Sequence, residues 1–151
     1  MITIKRTNSN DAAFHALIKK LDKDLSDRYG SLQDYYSQFN KIEDNPTVVV
    51  AYEGDEAVGC GCFKKYDELS VEVKRMYVAE GHRAKGIGGL ILGELENWAA
   101  ELGQQATVLE LGNNQPEAIG LYTKQGYTVI PNYGQYIGME TSICMRKGLN
   151  K

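Results

Sequence analysis

The chain has 151 residues, of which 42% are apolar and 25% are charged, and its formal net charge is −3. This composition is typical of a globular protein, and the length fits one domain over residues 1–151. The acidic balance argues against general nucleic-acid binding. No apolar run approaches the length of a membrane span, and the N-terminal residues lack the apolar stretch of a signal peptide. We therefore expect a cytoplasmic protein without a membrane or nucleic-acid partner.

The cysteines and histidines do not form a metal-binding pattern. Cys60, Cys62 and Cys144 include no CxxC pair, and only His15 and His82 are available as imidazole ligands. A zinc site needs about four such ligands at characteristic spacings. We therefore expect reduced, buried thiols and no metal.

The first third of the chain predicts a strand and two helices. Residues 2–6 alternate apolar and polar side chains, as in a short strand, and residues 7–11 offer helix N-cap candidates. Apolar residues then recur at helical spacing over residues 14–25, which predicts an amphipathic helix. A shorter helix is predicted over residues 32–39, whose aromatic side chains favour core packing over a pocket lining.

A hairpin with an unusual glycine pattern follows. Residues 47–52 are β-branched and predict a strand, the Glu-Gly-Asp-Glu sequence at 53–56 predicts a turn, and residues 57–66 predict the returning strand. In that strand Gly59 and Gly61 share one face. Glycine within a strand marks close approach of another group, so this face is expected to meet a ligand or a helix.

The second half alternates strands and helices, with strands predicted over residues 71–78, 106–111, 127–130 and 141–145. A helix is predicted from Ile87 to Leu102, with Gly103 as its C-cap, and a second helix over residues 117–124. An antiparallel meander followed by this β-α-β-α-β pattern predicts an α/β (α+β) fold, in which helices cover both faces of a mixed sheet.

A basic, glycine-bearing loop joins the strand at 71–78 to the helix at Ile87. Arg83 and Lys85 precede Gly86 and Gly88 at the helix start, where unpaired backbone N–H groups favour an anion. The positive charges are unfavourable at this end of the helix dipole unless an anion sits there. Neither the Walker loop nor the dinucleotide fingerprint fits the residues that follow.

These residues carry a resemblance to a known family. The sequence Arg83-Ala84-Lys85-Gly86-Ile87-Gly88 is similar to the R/Q-x-x-G-x-G/A signature of the GCN5-related N-acetyltransferase (GNAT) superfamily. The sequences Ala118-Ile119-Gly120-Leu121-Tyr122 and Gly126-Tyr127 resemble its A-x-x-L-Y-x-x-x-G-[FY] segment. The resemblance covers the chain from about residue 47 onward. It implies a mostly antiparallel mixed sheet of about six to seven strands and an acetyl-CoA-dependent N-acetyltransferase.

The resemblance also implies how acetyl-CoA is held. The backbone of Met76 and Val78 is expected to pair with the pantetheine arm, and Asn114 or Gln115 to contact the cofactor. The Val78 N–H is then a donor to the thioester carbonyl oxygen. The backbone amides of the loop are expected to hold the pyrophosphate, with Arg83 as a charge partner; the loop is formed by Arg83, Ala84, Lys85, Gly86, Ile87 and Gly88.

Direct transfer to an amine requires a proton acceptor and a proton donor. By the resemblance, Tyr122 is the general acid that protonates the departing thiolate. The alternation of strand residues places Glu72 on the same face as Val78, which makes it a candidate base. Glu110 on the neighbouring strand is the alternative, and a chain of water molecules is another.

The acceptor is expected to be a primary amine of a small molecule, peptide or protein. Substrate-binding candidates are Tyr29, Tyr35 and Tyr36, together with Tyr133 and Tyr136 in the loop at residues 131–140. An exposed sheet edge is compatible with a homodimer. Two other functions stay open: a non-catalytic acyl-CoA-binding sensor or interaction module, and a nucleotide-binding regulator.

Overall fold

The structure is a computed structural model that describes residues 1–29 and 44–149. Seven strands and three helices lie in this part of the chain. In chain order they are β1 (Ile2–Thr7), α1 (Ala12–Tyr29), β2 (Val48–Glu53), β3 (Glu56–Lys65), β4 (Ser70–Val78), α2 (Ile87–Glu101), β5 (Ala106–Gly112), α3 (Pro116–Lys124), β6 (Thr128–Ile130) and β7 (Ser142–Gly148).

The strands form one mixed sheet in the order β1-β2-β3-β4-β5-β7-β6. The pairs β1/β2, β2/β3, β5/β7 and β6/β7 are antiparallel. β4 and β5 are parallel, in a register from Ser70↔Ala106 to Val73↔Leu109. Both strands continue beyond these pairs, β4 to Val78 and β5 to Gly112. The predicted mixed, mostly antiparallel sheet is confirmed.

The chain divides into two compact units. The first unit comprises Met1–Phe63 and Arg75–Leu95, and the second comprises Lys64–Lys74 and Glu96–Lys151. The chain therefore passes from one unit to the other within β4 and again within α2. The single-domain organisation stays a prediction.

In the first unit, α1 covers one face of the hairpin formed by β2 and β3. Asp11 caps this helix, because its carboxylate accepts a hydrogen bond from the Ala13 N–H at 2.8 Å. The apolar stripe of α1 is almost fully buried against strand residues from both arms of the hairpin. This core comprises Phe14, Leu17, Ile18, Val48, Val50, Cys60, Cys62, Tyr77 and Ala79.

The opposite face of β3 is covered by α2. A Cβ added at Gly59 would lie 2.8 Å from Ile91 Cδ1, and one at Gly61 would lie 2.5 Å from Met76 Sδ and 3.0 Å from Leu95 Cδ1. The two glycines therefore leave room for a closely packed helix. Of the two groups predicted to meet this face, a ligand or a helix, the structure shows a helix. Within the first unit, helices cover both faces of the sheet.

In the second unit, a polar network lies beside the β5/β7 ladder. The Tyr127 hydroxyl lies 2.6 Å from Thr107 Oγ1 and donates to Glu96 Oε2 at 3.0 Å. Lys147 Nζ donates to the other oxygen of Glu96 at 2.8 Å. The charge of a buried carboxylate is thus balanced by one lysine, and its other oxygen accepts a hydrogen bond from one phenol.

The element boundaries differ from the predicted ones by a few residues. β7 extends to Gly148, three residues beyond its predicted end, and Tyr127 precedes β6 instead of beginning it. A 3₁₀ turn at Gly134–Tyr136 was not predicted. The helix predicted over residues 32–39 lies outside the described residues. No helix in the described ranges is long and apolar enough to span a membrane.

Candidate active site

The loop between β4 and α2 contains three residues in the left-handed region. Their φ angles are 91° at Gly81, 64° at Ala84 and 80° at Gly86. This conformation is uncommon for a residue that carries a Cβ, as Ala84 does. Gly86 directly precedes α2, and a Cβ there would meet no heavy atom within 4 Å. The start of α2, with its unpaired first-turn N–H groups, therefore borders open space, as an anion site requires.

Arg83 turns back toward the end of β4. Its Nε donates to the carbonyl oxygen of Val78 at 2.7 Å, and its guanidinium carbon lies 5.5 Å from the centre of the Tyr77 ring. Asp24 of α1 lies 3.8 Å from its terminal nitrogen. Arg83 thus fastens the loop to β4, a contact that the sequence did not indicate.

The other basic residues of the loop meet glutamates of the β2–β3 hairpin. His82 Nδ1 lies 2.9 Å from Glu53 Oε1, and Lys85 Nζ lies 3.7 Å from the same oxygen. Glu56 lies 3.7 Å from the second ring nitrogen of His82. The hydrogen bond from His82 and the charge of Lys85 lower the pKa of Glu53. In the free protein, the loop charges are therefore balanced by carboxylates.

β4 is irregular at Arg75, where φ is 62°. The Arg75 carbonyl accepts a hydrogen bond from Cys60 Sγ at 3.4 Å, and its buried guanidinium lies 3.6 Å from Asp22 of α1. Burial raises the pKa of Asp22, and Arg75 lowers it in part. A left-handed residue interrupts the alternation of side chains between the two faces of a strand. Because Arg75 lies between Glu72 and Val78, these two residues cannot be assigned to one face from their spacing alone.

The second unit brings together two glutamates, which we call the carboxylate pair, Glu72 and Glu110. Glu72 is only 4% exposed, and its Oε2 accepts a hydrogen bond from the Tyr133 hydroxyl at 2.9 Å. Glu110 Oε2 accepts from Ser142 Oγ at 2.8 Å. Burial and, to a smaller extent, the charge of Glu72 raise the pKa of Glu110 to about 7, although the hydrogen bond from Ser142 and the charge of Lys74 lower it in part. One member of the carboxylate pair therefore titrates near neutral pH.

Tyrosines surround the carboxylate pair. Tyr122 is 6% exposed, and burial followed by the charge of Glu110 raises its pKa. The pKa of Tyr136 is raised by burial and then by Glu110 and Glu72. The Tyr133 ring packs edge-on against Tyr136 at 5.8 Å and Tyr66 at 4.9 Å. Burial raises the pKa of Tyr122, Tyr133 and Tyr136, so these three phenols stay protonated at neutral pH and can act as donors.

The two candidate amides precede α3. Gln115 is the N-cap residue of α3 but its side chain makes no capping hydrogen bond, and Pro116 occupies the first turn. The Gln115 carbonyl accepts from the Ala118 and Ile119 N–H groups. These contacts involve the backbone of Gln115 and not its side-chain amide. They therefore do not decide whether Asn114 or Gln115 contacts the cofactor, and that contact stays a prediction.

The predicted site residues fall into two groups. Met76, Val78 and residues 83–88 lie in the first unit, and Glu72, Glu110, Tyr122 and residues 114–115 lie in the second. Tyr35, Tyr36 and the side chain of Tyr29 lie outside what is described. Ser142 was missed, because a serine at a strand start carries no signal of the glutamate it will meet. In the described ranges, no group of three or more His, Cys, Asp or Glu side chains is placed to hold a metal.

Comparison with known proteins identifies the family. The model of the acetyltransferase (GNAT) family matches residues 14–127. The chain belongs to this family. The predicted family, fold and enzyme class are therefore confirmed.

Individual relatives extend the likeness over the whole chain. An IAA acetyltransferase of Azospirillum brasilense is 32% identical over 151 residues, covering 98% of each chain. A structure assigned as an acyl-CoA N-acyltransferase from Klebsiella pneumoniae has a TM-score of 0.83 at 30% identity and covers 99% of each chain. A GNAT acetyltransferase of Elizabethkingia anophelis, solved with acetyl-CoA bound, has a TM-score of 0.69 at 23% identity and covers 98% of each chain.

Proposed function

We propose that this GNAT protein transfers the acetyl group of acetyl-CoA directly to a primary amine within a ternary complex. The observation that carries the proposal is the loop at residues 80–86, where three left-handed residues and an open Gly86 leave the start of α2 free for a diphosphate. Family membership and the acetyl-CoA bound to a structural neighbour support the donor.

The donor contacts follow from the loop geometry. The backbone N–H groups of residues 83–88 are proposed to hold the pyrophosphate, with Lys85 as the nearby charge. Arg83 acts by holding the loop, since its guanidinium is already bonded to the Val78 carbonyl. Because that carbonyl is occupied, Val78 is proposed to contribute its N–H, toward the thioester oxygen. Met76 contributes backbone groups, because its side chain packs against Gly61.

Tyr122 is proposed as the general acid. Its raised pKa keeps the phenol protonated, so it can donate a proton to the departing thiolate. Tyr122→Phe should leave acetyl-CoA affinity unchanged and lower turnover by about 100-fold. Tyr52→Phe, a tyrosine of β2 with no proposed role, is the matched control. Equal turnover of Tyr122→Phe and the wild type would remove Tyr122 from the mechanism.

Calorimetric titration with acetyl-CoA tests the donor. We expect saturable binding in the micromolar range or tighter, weakened by Arg83→Glu, which places a carboxylate at the loop. Lys23→Glu is the charge-matched control, since Lys23 is an exposed residue of α1. No heat of binding at high micromolar acetyl-CoA would contradict the proposal.

The non-catalytic sensor is the alternative outcome of the same experiments. A sensor binds acetyl-CoA but releases no thiol above the enzyme-free rate with any amine. The presence of Tyr122 and of the carboxylate pair favours an enzyme, because acetyl-CoA binding alone requires neither. ATP or NAD binding better than CoA would instead support a nucleotide-binding regulator.

The proposed location is the cytoplasm. Cys60, Cys62 and Cys144 are buried and free of disulfides, which suits a reducing compartment.

The homodimer also stays a proposal, and light scattering of the purified protein tests it.

A further inference from the structure

Two side chains of the loop between β4 and α2 contact the same carboxylate in different ways. His82 Nδ1 lies 2.9 Å from Glu53 Oε1, within hydrogen-bond distance, and the His82 side chain is 20% exposed. Lys85 Nζ lies 3.7 Å from the same oxygen, and the Lys85 side chain is 50% exposed. Hydrogen bonds weaken with distance, and water screens exposed charges. His82 is therefore the firmer link between the loop and Glu53.

His82 also faces a second carboxylate of the β2–β3 hairpin. Its Nε2 lies 3.7 Å from Glu56 Oε2, so the imidazole ring stands between two glutamates. Both nitrogens of a protonated imidazole are donors, and only that form can serve both carboxylates. The hydrogen bond from His82 is also the largest cause of the lowered pKa of Glu53. The charged ring thus joins the loop to the hairpin.

The hairpin gives His82 a rigid anchor. Glu53 is the last residue of β2, and it is in register with Ile2 of β1 on one side and with Glu56 of β3 on the other. Backbone that is paired on both sides moves less than an unpaired loop. The contact therefore restrains His82 more than it restrains Glu53.

The loop needs such a restraint because part of it is strained. Ala84 has a φ of 64°, and a residue with a Cβ keeps this left-handed conformation only where its surroundings hold it. His82 lies two residues before Ala84, and Lys85 directly follows it. Without the tether at His82, the backbone could relax away from the conformation that the proposed diphosphate site requires.

We propose that His82 is a positioning residue for the donor, because its contacts with Glu53 and Glu56 hold the loop in the conformation that receives the diphosphate of acetyl-CoA. This role rests on the proposed acetyl-CoA site and extends that site to the β2–β3 hairpin. Lys85 is held more loosely, so it can leave Glu53 for the phosphate while His82 keeps the loop in place.

Calorimetric titration with acetyl-CoA tests this tether. His82→Ala should weaken binding about fivefold to tenfold, as expected for the loss of one charge-assisted hydrogen bond at a partly exposed position. His82→Gln should restore most of the affinity, because the glutamine amide can donate to Glu53. His15→Ala is the matched control, since His15 of α1 also makes a hydrogen bond, to the Ser9 carbonyl, but lies outside the loop.

A double-mutant cycle tests whether His82 acts through Glu53. In a Glu53→Ala background, His82→Ala should change the affinity for acetyl-CoA by less than about twofold, because the main partner of the ring is already absent. A loss as large as in the wild-type background would mean that His82 contacts the donor directly, and it would overturn the inference. Glu53→Gln does not replace Glu53→Ala in this cycle, because an amide oxygen still accepts a hydrogen bond from His82.

The remaining outcomes separate the role of His82 from the function on which it rests. Unchanged affinity in His82→Ala, or a loss that His82→Gln does not reduce, would overturn the inference alone. An equal loss in His15→Ala would also overturn it, because a general structural effect would then explain both variants. Wild-type protein that does not bind acetyl-CoA would overturn the proposed function, and the role of His82 with it.

Discussion

Tyr127 shows how a family motif residue can serve stability instead of chemistry. It lies in the Gly126-Tyr127 motif, yet its hydroxyl bonds Glu96 and Thr107 and takes part in a buried network. Glu96 is only 8% exposed, and its charge is balanced by Lys147. Removing one partner of such a pair leaves an uncompensated charge, which is far more unfavourable than losing a surface ion pair.

Lys147→Met should therefore lower the free energy of unfolding by about 3 kcal/mol. The matched control is Lys23→Met, which breaks the exposed Lys23–Asp27 pair and should change stability by less than about 0.5 kcal/mol. Urea denaturation of the three proteins at one pH measures both values. Equal effects of the two substitutions would show that the Glu96 network does not stabilise the fold.

The raised pKa of Glu110 has a consequence for stability. The unfolded chain ionises this group near pH 4.5, whereas the folded chain keeps the proton up to about pH 7. The folded state thus binds the extra proton in this window, and stability falls as the pH rises through it. Glu110→Gln removes this loss, so its stability relative to the wild type should increase by about 3 kcal/mol from pH 4.5 to pH 8. Urea denaturation at both pH values measures it, and a constant difference would contradict the assigned pKa.

Single residues differ in how well the sequence predicts them. The cap at Asp11 and the loop glycines follow from local backbone requirements, and the structure has them where the sequence places them. The hydrogen bond between Tyr133 and Glu72 joins residues 61 positions apart, and Arg83 contacts a backbone carbonyl. Such contacts depend on tertiary packing, which no local pattern encodes.

Among the elements, α2 packs closely over the glycines of β3. Ile91 and Leu95 occupy the space that side chains at Gly59 and Gly61 would need. The helix therefore comes close to the strand backbone, and its first residue, Ile87, is fixed at the end of the loop. The predicted anion site thus depends on two glycines that are remote from it in sequence.

Gly61→Val should destabilise the protein by about 1–3 kcal/mol, because the added methyl groups overpack the interface with α2. Gly120→Ala is the opposite control: it lies in α3 with no heavy atom within 4 Å of the added Cβ, and it should stabilise by about 0.5–1 kcal/mol. Thermal denaturation ranks the variants. A Gly61→Val protein as stable as the wild type would mean that α2 is free to shift.

The elements themselves were largely predictable, because their apolar periodicities are strong. The helix ending before Gly103 and the hairpin turn at Gly54 agree with the structure, where both glycines have positive φ. The 3₁₀ turn at Gly134–Tyr136 was not predicted, since three residues are too short to show a period. The left-handed Arg75 also gave no signal, because arginine has no preference for that conformation.

On the scale of the whole molecule, the single-domain prediction implies cooperative unfolding. The two compact units share β4 and α2, each of which contributes residues to both. We expect one transition in urea, with coincident curves from tryptophan fluorescence and far-ultraviolet circular dichroism. Trp98 is the only tryptophan and belongs to the second unit, whereas circular dichroism reports on both units. Separated curves would indicate two independently folding domains.

The contact of Glu53 with His82 and Lys85 has a consequence for the proposed pyrophosphate site. A donor phosphate bound there would compete for Lys85 with the Glu53 carboxylate, which lies 3.7 Å from the lysine nitrogen. Glu53→Gln should therefore tighten CoA binding, by no more than about fivefold because the pair is exposed, and slow the dissociation of CoA. Glu53 would then lower the affinity for acetyl-CoA and also speed the release of the product CoA. Its net effect on turnover therefore depends on which step is rate-limiting.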